Sequence, residues 1–269
     1  MDKSYKLKYN LITNYKGKIY ETFGQMANYF DQNNRKIDNI FFLSGELDRN
    51  TSQELFARIL LNKEKFICFS RRLNFPFSNK KAWWSNIIPE YCSGYMHCFK
   101  HPEFFGIPND KPQTLISNSD YTEFSKPKYE KKKYDFLFSC QRELWKETDP
   151  KNESFFIRLA SRFCCTNKSL KCCVIGRDDL IDKHPYLNHP NIDFLGFQHP
   201  FSKVVKLLSQ SHCLFVPSFK DASPCLLAES LVADVPAVVN SEIWGGWKYI
   251  NPKTGLFYNG DHKDIEESV

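Results

Sequence analysis

Residues 215–229 read FVPSFKDASPCLLAE, and the order of signals in them decides the fold. Cys213-Leu214-Phe215-Val216 is an unbroken apolar run, the pattern of a strand buried on both faces, and Pro217 ends it. Ser223-Pro224 is a helix-start signal: a hydroxyl at the capping position, then a proline at the first helical position, where an N–H is not needed. The helix predicted over 224–233 is largely apolar, with Glu229 its one ionisable residue. A strand, a polar loop and a helix within about twenty residues make one βα unit.

The same rhythm extends to both sides. Strands are predicted at 134–138, 171–176, 192–196, 235–239 and 255–258, with helices over 153–163 and 202–211. Strands alternating with helices at this spacing predict an α/β fold, a parallel sheet covered by helices on both faces. Such sheets bind ligands beyond the carboxyl ends of their strands, which points to the loops after Phe138, Gly176, Gly196 and Val216. Upstream, strands are predicted at 39–43, 65–69 and 114–117, and a helix from Thr51 to about Leu61 with Glu54 completing a capping box. Residues 71–112 are aromatic, broken by prolines and without a clear period. The basic run KPKYEKKK at 126–133 reads as a solvated linker, and the change of composition there divides the chain into 1–130 and 131–269.

The gross numbers agree. The chain has 269 residues, 42% hydrophobic and 25% charged, enough for two modest cores. A net charge of +6 suits a small anionic ligand but lacks the dense basic face of a nucleic-acid binder. No stretch approaches the roughly 20 apolar residues of a membrane span, and the N-terminus has no apolar core of a signal peptide. Ten cysteines without a C-x-x-C, among them the vicinal pairs Cys164-Cys165 and Cys172-Cys173, read as reduced, small apolar residues of a cytoplasmic protein.

Chemistry concentrates at the helix of the opening stretch. A carboxylate at Glu229 needs partners in such apolar surroundings, and a vicinal diol such as a ribose supplies two donors. The helix start, Ser223-Pro224-Cys225-Leu226, presents unpaired backbone N–H groups and the positive dipole end, which suit a diphosphate. Asp221, just ahead of it, is placed to accept from sugar hydroxyls.

Asp221 and Glu229 are separated by seven residues, as in the E-x7-E motif of retaining glycosyltransferases of the GT-B fold, with Asp in the first position. NIDFLGFQHPFSKVVKLLSQSHCLFVPS, DASPCLLAESLVADVPAVVN and WGGWKYINPKTGLFY come in family order, and residues 134–258 resemble glycosyltransferase family 4. The resemblance implies two doubly wound, Rossmann-like halves facing across a cleft, acceptor bound by the first and donor by the second. It implies transfer from a nucleoside diphosphate sugar to the hydroxyl of a glycan, lipid-linked or protein-linked acceptor, with retention and without a metal or other cofactor. Glu229 would bind the donor ribose and Asp221 the transferred sugar. An Arg and a Lys after the first strand of the second half would clamp the diphosphate. Arg142 in SCQRELWKETDPKN matches the first, and Lys146 and Lys151 compete for the second, with Lys151 preferred for its place just before the helix. Gly246 of WGGWKY would lie near the pyrophosphate or sugar, and His97 matches a histidine that sometimes contacts the sugar. Two features depart from the family: the first half is short, and the chain stops at Val269 where a helix begins at Asp264 and family members continue.

Other readings compete. His97 also reads as a packed or surface histidine. Cys92, His97, Cys98 and His101 invite a zinc reading, but their spacing fits no standard site. Neither G-x-G-x-x-G after a strand nor a phosphate-binding G-x-x-x-x-G-K-[ST] is present, which argues against dinucleotide oxidoreductases and P-loop nucleotidases. A non-catalytic module that holds nucleotide sugar, and a nucleotide-sugar epimerase of the same fold, remain the rivals.

Overall fold

The computed structural model describes residues 13–15, 18–20, 26–30, 35–43, 55, 57–70, 84–117, 120, 127, 130–139, 152–162, 170–176 and 180–259. The chain forms two compact units, Met1–Ile116 and Ser117–Val269. The division falls ahead of the basic run because Ser117 and Asp120 are already bonded into the second unit, to Ser223 and to Lys248.

In the first unit, β1 (Thr13–Tyr15) and β2 (Lys18–Tyr20) pair antiparallel. A five-stranded sheet then runs in chain order: β3 (Met26–Phe30), β4 (Lys36–Leu43), β5 (Lys65–Ser70), β6 (Cys92–His97) and β7 (Gln113–Leu115). Strand β3 is antiparallel to β4, and the other pairings are parallel. The helix α1 (Trp84–Tyr91) joins β5 to β6. Both α1 and β6 lie in the stretch whose broken pattern hid them. Phe41 and Phe66 stack at 5.5 Å, and the Arg58 guanidinium lies 4.0 Å over Phe41 while pairing with Glu64 at 2.7 Å. Thr51 and Glu54, the predicted capping box, lie outside the described residues, whereas Ala57–Leu61 is helical.

The second unit holds a six-stranded, wholly parallel sheet. Its strands are β8 (Tyr134–Ser139), β9 (Cys172–Ile175), β10 (Ile192–Leu195), β11 (Ser211–Val216), β12 (Ala237–Asn240) and β13 (Gly255–Tyr258). Their spatial order is β10-β9-β8-β11-β12-β13, so the winding reverses between β8 and β11. Three longer helices cover it: α2 (Glu153–Ala160), α4 (Phe201–Ser209) and α5 (Cys225–Val232), with the short α3 (Leu180–Lys183) between the first two.

Alternate residues of the strands serve two cores. Phe136, Phe138, Phe215, Val238 and Tyr258 meet Phe155, Phe156 and Leu159 of α2 on one face, with Phe138 and Phe156 stacked at 3.8 Å. Leu137, Leu214, Val216 and Val239 meet Leu208 of α4 and Leu227 of α5 on the other. Burial on both faces explains why these strands read as unbroken apolar runs, each buried Leu or Phe contributing about 1.5–3 kcal/mol.

The amino ends of the strands are tied together. Lys133 Nζ donates to Asp193 Oδ2 at 2.8 Å, the Tyr134 hydroxyl donates to the same oxygen at 2.6 Å, and Lys132 Nζ donates to the Ser211 carbonyl at 2.6 Å. The end of the basic run is thus part of the fold and not only a solvated linker. Among the described residues no helix is long and apolar enough to cross a membrane.

Candidate functional site

In a doubly wound sheet the crevice opens at the carboxyl ends of the two strands where the winding reverses. Here those are Ser139 of β8 and Val216 of β11. The carbonyl of Pro217, the first residue past β11, accepts the side-chain amides of Asn152 at 3.2 Å and Asn240 at 3.1 Å. One acceptor therefore joins the residue before α2, the end of β11 and the end of β12.

From Pro217 the chain runs through residues 218–224 to α5, and a second loop holds it. The N–H of Trp244 donates to the Phe219 carbonyl at 3.1 Å, and the N–H of Gly245 donates to the Asp221 carbonyl at 2.9 Å. A Cβ on Gly245 would stand 1.8 Å from the Ala222 carbonyl oxygen, so only glycine permits this approach. Gly246 has φ of 77° and lies against Pro224, where a Cβ would meet Cγ at 2.5 Å. The expected place of Gly246 near the pyrophosphate or sugar is a separate matter from this packing. Gly246 lets the second loop press on the start of α5.

Asp221 Oδ1 accepts the N–H of Ser223 at 3.2 Å, an Asx turn that shapes the loop tip. The capping role expected of Ser223 is corrected. Its hydroxyl lies 2.7 Å from that of Ser117, Pro224 takes the capping position, and the helix begins at Cys225 with no side-chain cap. Pro224 is accordingly not at the first helical position. The Leu227 N–H turns back to the Pro224 carbonyl at 3.0 Å. Cys225 is exposed and Leu226 half-buried, while Leu227, Ala228 and Ser230 face the sheet.

Glu229 lies one turn beyond Cys225 on the same side of α5. It is half-buried, and among the described residues its carboxylate has no hydrogen-bond or ionic partner. Burial alone pushes its pKa above the ordinary glutamate value. A polar group left so is set to receive donors from elsewhere.

Arg142, Lys146 and Lys151 lie outside the described residues; Asn152, next to Lys151, is the first described residue after them. In the first unit His97 ends β6, is buried, and shares a hydrogen bond of 3.0 Å with Gln113 Oε1 through Nε2. Burial first, opposed by that hydrogen bond, holds its imidazole below the ordinary value. His97 is a packed histidine. Cys92 starts the strand that His97 ends, and its thiol turns to the Gly94 carbonyl at 2.8 Å. The described cysteines are free; burial pushes Cys173 and Cys213 up to about 12, so they behave as small apolar groups.

No protein-family model and no curated protein matches the chain. Solved structures do. The lipopolysaccharide outer core galactosyltransferase WaaB, apo form, aligns over 86% of this chain and 64% of its own, at 17% identity and a TM-score of 0.57. A variant of S. aureus TarM in complex with Fondaparinux, alpha-GlcNAc-glycerol and UDP aligns over 90% and 53%, at 12% identity and 0.58. The pneumococcal O-GlcNAc transferase GtfA, in complex with UDP and GlcNAc, aligns over 90% and 57%, at 8% identity and 0.54. All three have the GT-B architecture. The chain has the GT-B fold. It spans between 53% and 64% of the length of these three proteins.

The GT-B fold gives each unit an α/β sheet, and in this chain the acids Asp221 and Glu229 both sit at the reversal point of the second. Sequence reasoning missed Asn152, Asn240, Ser117 and Asp120, whose bonds link distant segments. Only the positive φ of Asn152, 55°, has a local signal, since asparagine tolerates that region.

Proposed function

We propose that the chain is a metal-independent, retaining glycosyltransferase of the family 4 type, moving a sugar from a nucleoside diphosphate sugar to an acceptor hydroxyl on a glycan or on a lipid-linked or protein-linked glycoconjugate. The second unit binds the donor and the first unit the acceptor, in the cytoplasm.

One observation carries the reading. Glu229 is a half-buried carboxylate, raised by desolvation and without a partner among the described residues, one turn beyond an uncapped helix start at the reversal point of a doubly wound sheet. A ribose offers the two hydroxyl donors that it lacks. Asp221, eight positions earlier, lies on the far side of the helix start from Glu229, so a diphosphate on α5 would lie between its own sugar and its ribose. Arg142 and Lys151, or Lys146, would stabilise the charge that develops on the leaving diphosphate, the electrostatic contribution that commonly dominates such reactions. Attack on the donor-phosphate face accounts for retention. No redox or covalent group is needed, because the activated phosphate ester already carries the driving force. Two of the solved structures similar to this chain contain UDP, which makes uridine donors the first to test.

The test is release of nucleoside diphosphate from a panel of nucleotide sugars, with and without acceptor, for the wild type and for Glu229→Ala. Acceptor-dependent release that the substitution removes supports the proposal. Binding without turnover across the panel would instead assign a binding module, and isomerisation of the donor without acceptor an epimerase.

A further inference from the structure

The second unit begins inside its own site. Ser117 is buried, with its hydroxyl 2.7 Å from that of Ser223. Its N–H donates to Asp120 Oδ2 at 2.8 Å, and the Asp120 N–H donates back to the Ser117 carbonyl at 3.0 Å. The Asp120 carboxylate also accepts Lys248 Nζ on Oδ2 at 2.6 Å and the Tyr249 hydroxyl on Oδ1. Lys248 and Tyr249 belong to the helical turn Trp247–Tyr249, directly after the residues whose N–H groups hold the carbonyls of Phe219 and Asp221. Ser117 and Asp120 therefore reach residues 219–224 by two routes, one through Ser223 and one through the 244–249 loop.

The two acids of the site depend on this arrangement unequally. Glu229 is carried by α5, which Leu227, Ala228 and Ser230 fix against the sheet without help from Asp120. Asp221 lies in a loop with no helix or strand of its own, and its place is set by the bonds just described.

We propose that Ser117 and Asp120 are positioning residues for the sugar half of the donor site: they hold the Asp221 loop in register with α5, and leave the nucleotide half to Glu229. This inference rests on the proposed donor site. Loss of the clamp should leave nucleotide affinity in place and remove transfer, since a displacement of about 1 Å in a positioned group costs on the order of 100-fold in rate.

The experiment uses the full chain with Asp120→Ala, Asp120→Asn and Ser117→Ala. Binding of UDP, GDP and ADP is measured by calorimetry, and turnover with whichever donor the wild type accepts. The nucleotide affinity of Asp120→Ala should stay within about twofold of wild type while kcat falls roughly tenfold or more. Asp120→Asn keeps an oxygen acceptor and falls less. Ser117→Ala and Ser223→Ala should each lower kcat, and the double variant no further than either. Ser117→Ala removes one hydroxyl and keeps the question answerable if Asp120→Ala does not fold. Wild-type kcat in folded Asp120→Ala and Ser117→Ala overturns the proposal, as does a parallel fall of nucleotide affinity and kcat, which a merely structural clamp predicts. A wild type that binds none of the three nucleotides overturns the proposed function itself, an outcome seen before any variant is made.

Discussion

Apart from the antiparallel β3, the two sheets share parallel strand pairing, and they treat their carboxyl ends differently. In the first unit the described strands lie in chain order, and the titratable group at the end of β6, His97, is buried, pushed down and bonded to Gln113. In the second unit the winding reverses, and Glu229 beside the reversal point is pushed up and bonded to no described group. Burial is the first cause of both shifts. His97 is bonded through Nε2 alone, its buried Nδ1 having no partner among the described residues, whereas the Glu229 carboxylate has none on either oxygen; burial without a partner costs free energy that a ligand with suitable donors restores. The second unit also closes its opposite edge, where Lys133, Tyr134 and Asp193 join β8 to β10. Asp193 is satisfied at the amino edge, whereas Glu229 at the carboxyl edge is bonded to no described group.

The sharpest way to break this contrast is to remove the open group. Glu229→Ala should weaken nucleotide-sugar binding on the order of 100-fold, the loss of two hydrogen bonds to a charged acceptor at about 1.5 kcal/mol each. Gln113→Ala, which strips His97 of its partner, should leave UDP affinity unchanged. Calorimetry on the three proteins compares the two units directly, and equal losses would erase the distinction.

Next in size is the test of backbone approach. Gly245→Ala puts a Cβ 1.8 Å from the Ala222 carbonyl oxygen, and neither loop can yield without losing the bonds to Phe219 and Asp221. The expected cost is about 3 kcal/mol or more in unfolding free energy. Its counterpart in the first unit, Gly94→Ala, meets the Pro112 carbonyl at 3.0 Å and should cost roughly 1 kcal/mol. Denaturant titration of both variants reads the difference.

A smaller effect follows from the raised pKa of Glu229. In the free protein the raised value favours the protonated form, so its contribution to stability is present at low pH and is lost as pH rises through that pKa. Donor binding has the opposite sign, because the diol donates to the ionised carboxylate. Affinity should fall as pH drops through a point above the ordinary glutamate value of about 4.3. Glu229→Gln should flatten the pH profile and should not lower the melting temperature at neutral pH.

Much of the second unit was readable because its signals are local. The central strands β9 and β12 and the latter part of β11 are apolar runs buried on both faces, and the predicted 255–258 coincides with β13 (Gly255–Tyr258), whose Leu256 and Phe257 are exposed. The place of Asp221 ahead of α5 and of Glu229 within it was readable from the helix-start signal. What escaped lies in long-range bonds. Nothing in DASP says that the Ser223 hydroxyl goes to Ser117, more than a hundred residues away, so its capping role was a reasonable local inference overruled by tertiary structure. Asn152 and Asn240 converge on Pro217 from 65 and 23 residues away for the same reason. In the first unit β6, CSGYMH, mixes small, polar and aromatic residues and follows a helix containing Pro89, so neither a period of two nor a clean apolar run marks it.

The smallest expected effect tests the closed edge. Partial burial by itself raises the Asp193 carboxyl, but hydrogen bonds from Lys133 and Tyr134 outweigh it and hold the pKa below the ordinary value. A depressed pKa means stability present at neutral pH and lost as pH falls below about 3.9, the ordinary aspartate value, and through the folded one. The pair is largely solvated, with side-chain exposures of 55% and 38%, so Asp193→Asn should cost no more than about 1 kcal/mol. Because Asp193 stands at the amino edge and Glu229 at the carboxyl edge, the substitution should reduce acid stability without changing UDP affinity or its pH profile. A fall in UDP affinity would mean that the two edges of the sheet are coupled, and the separation of a closed structural edge from an open binding edge would have to be abandoned.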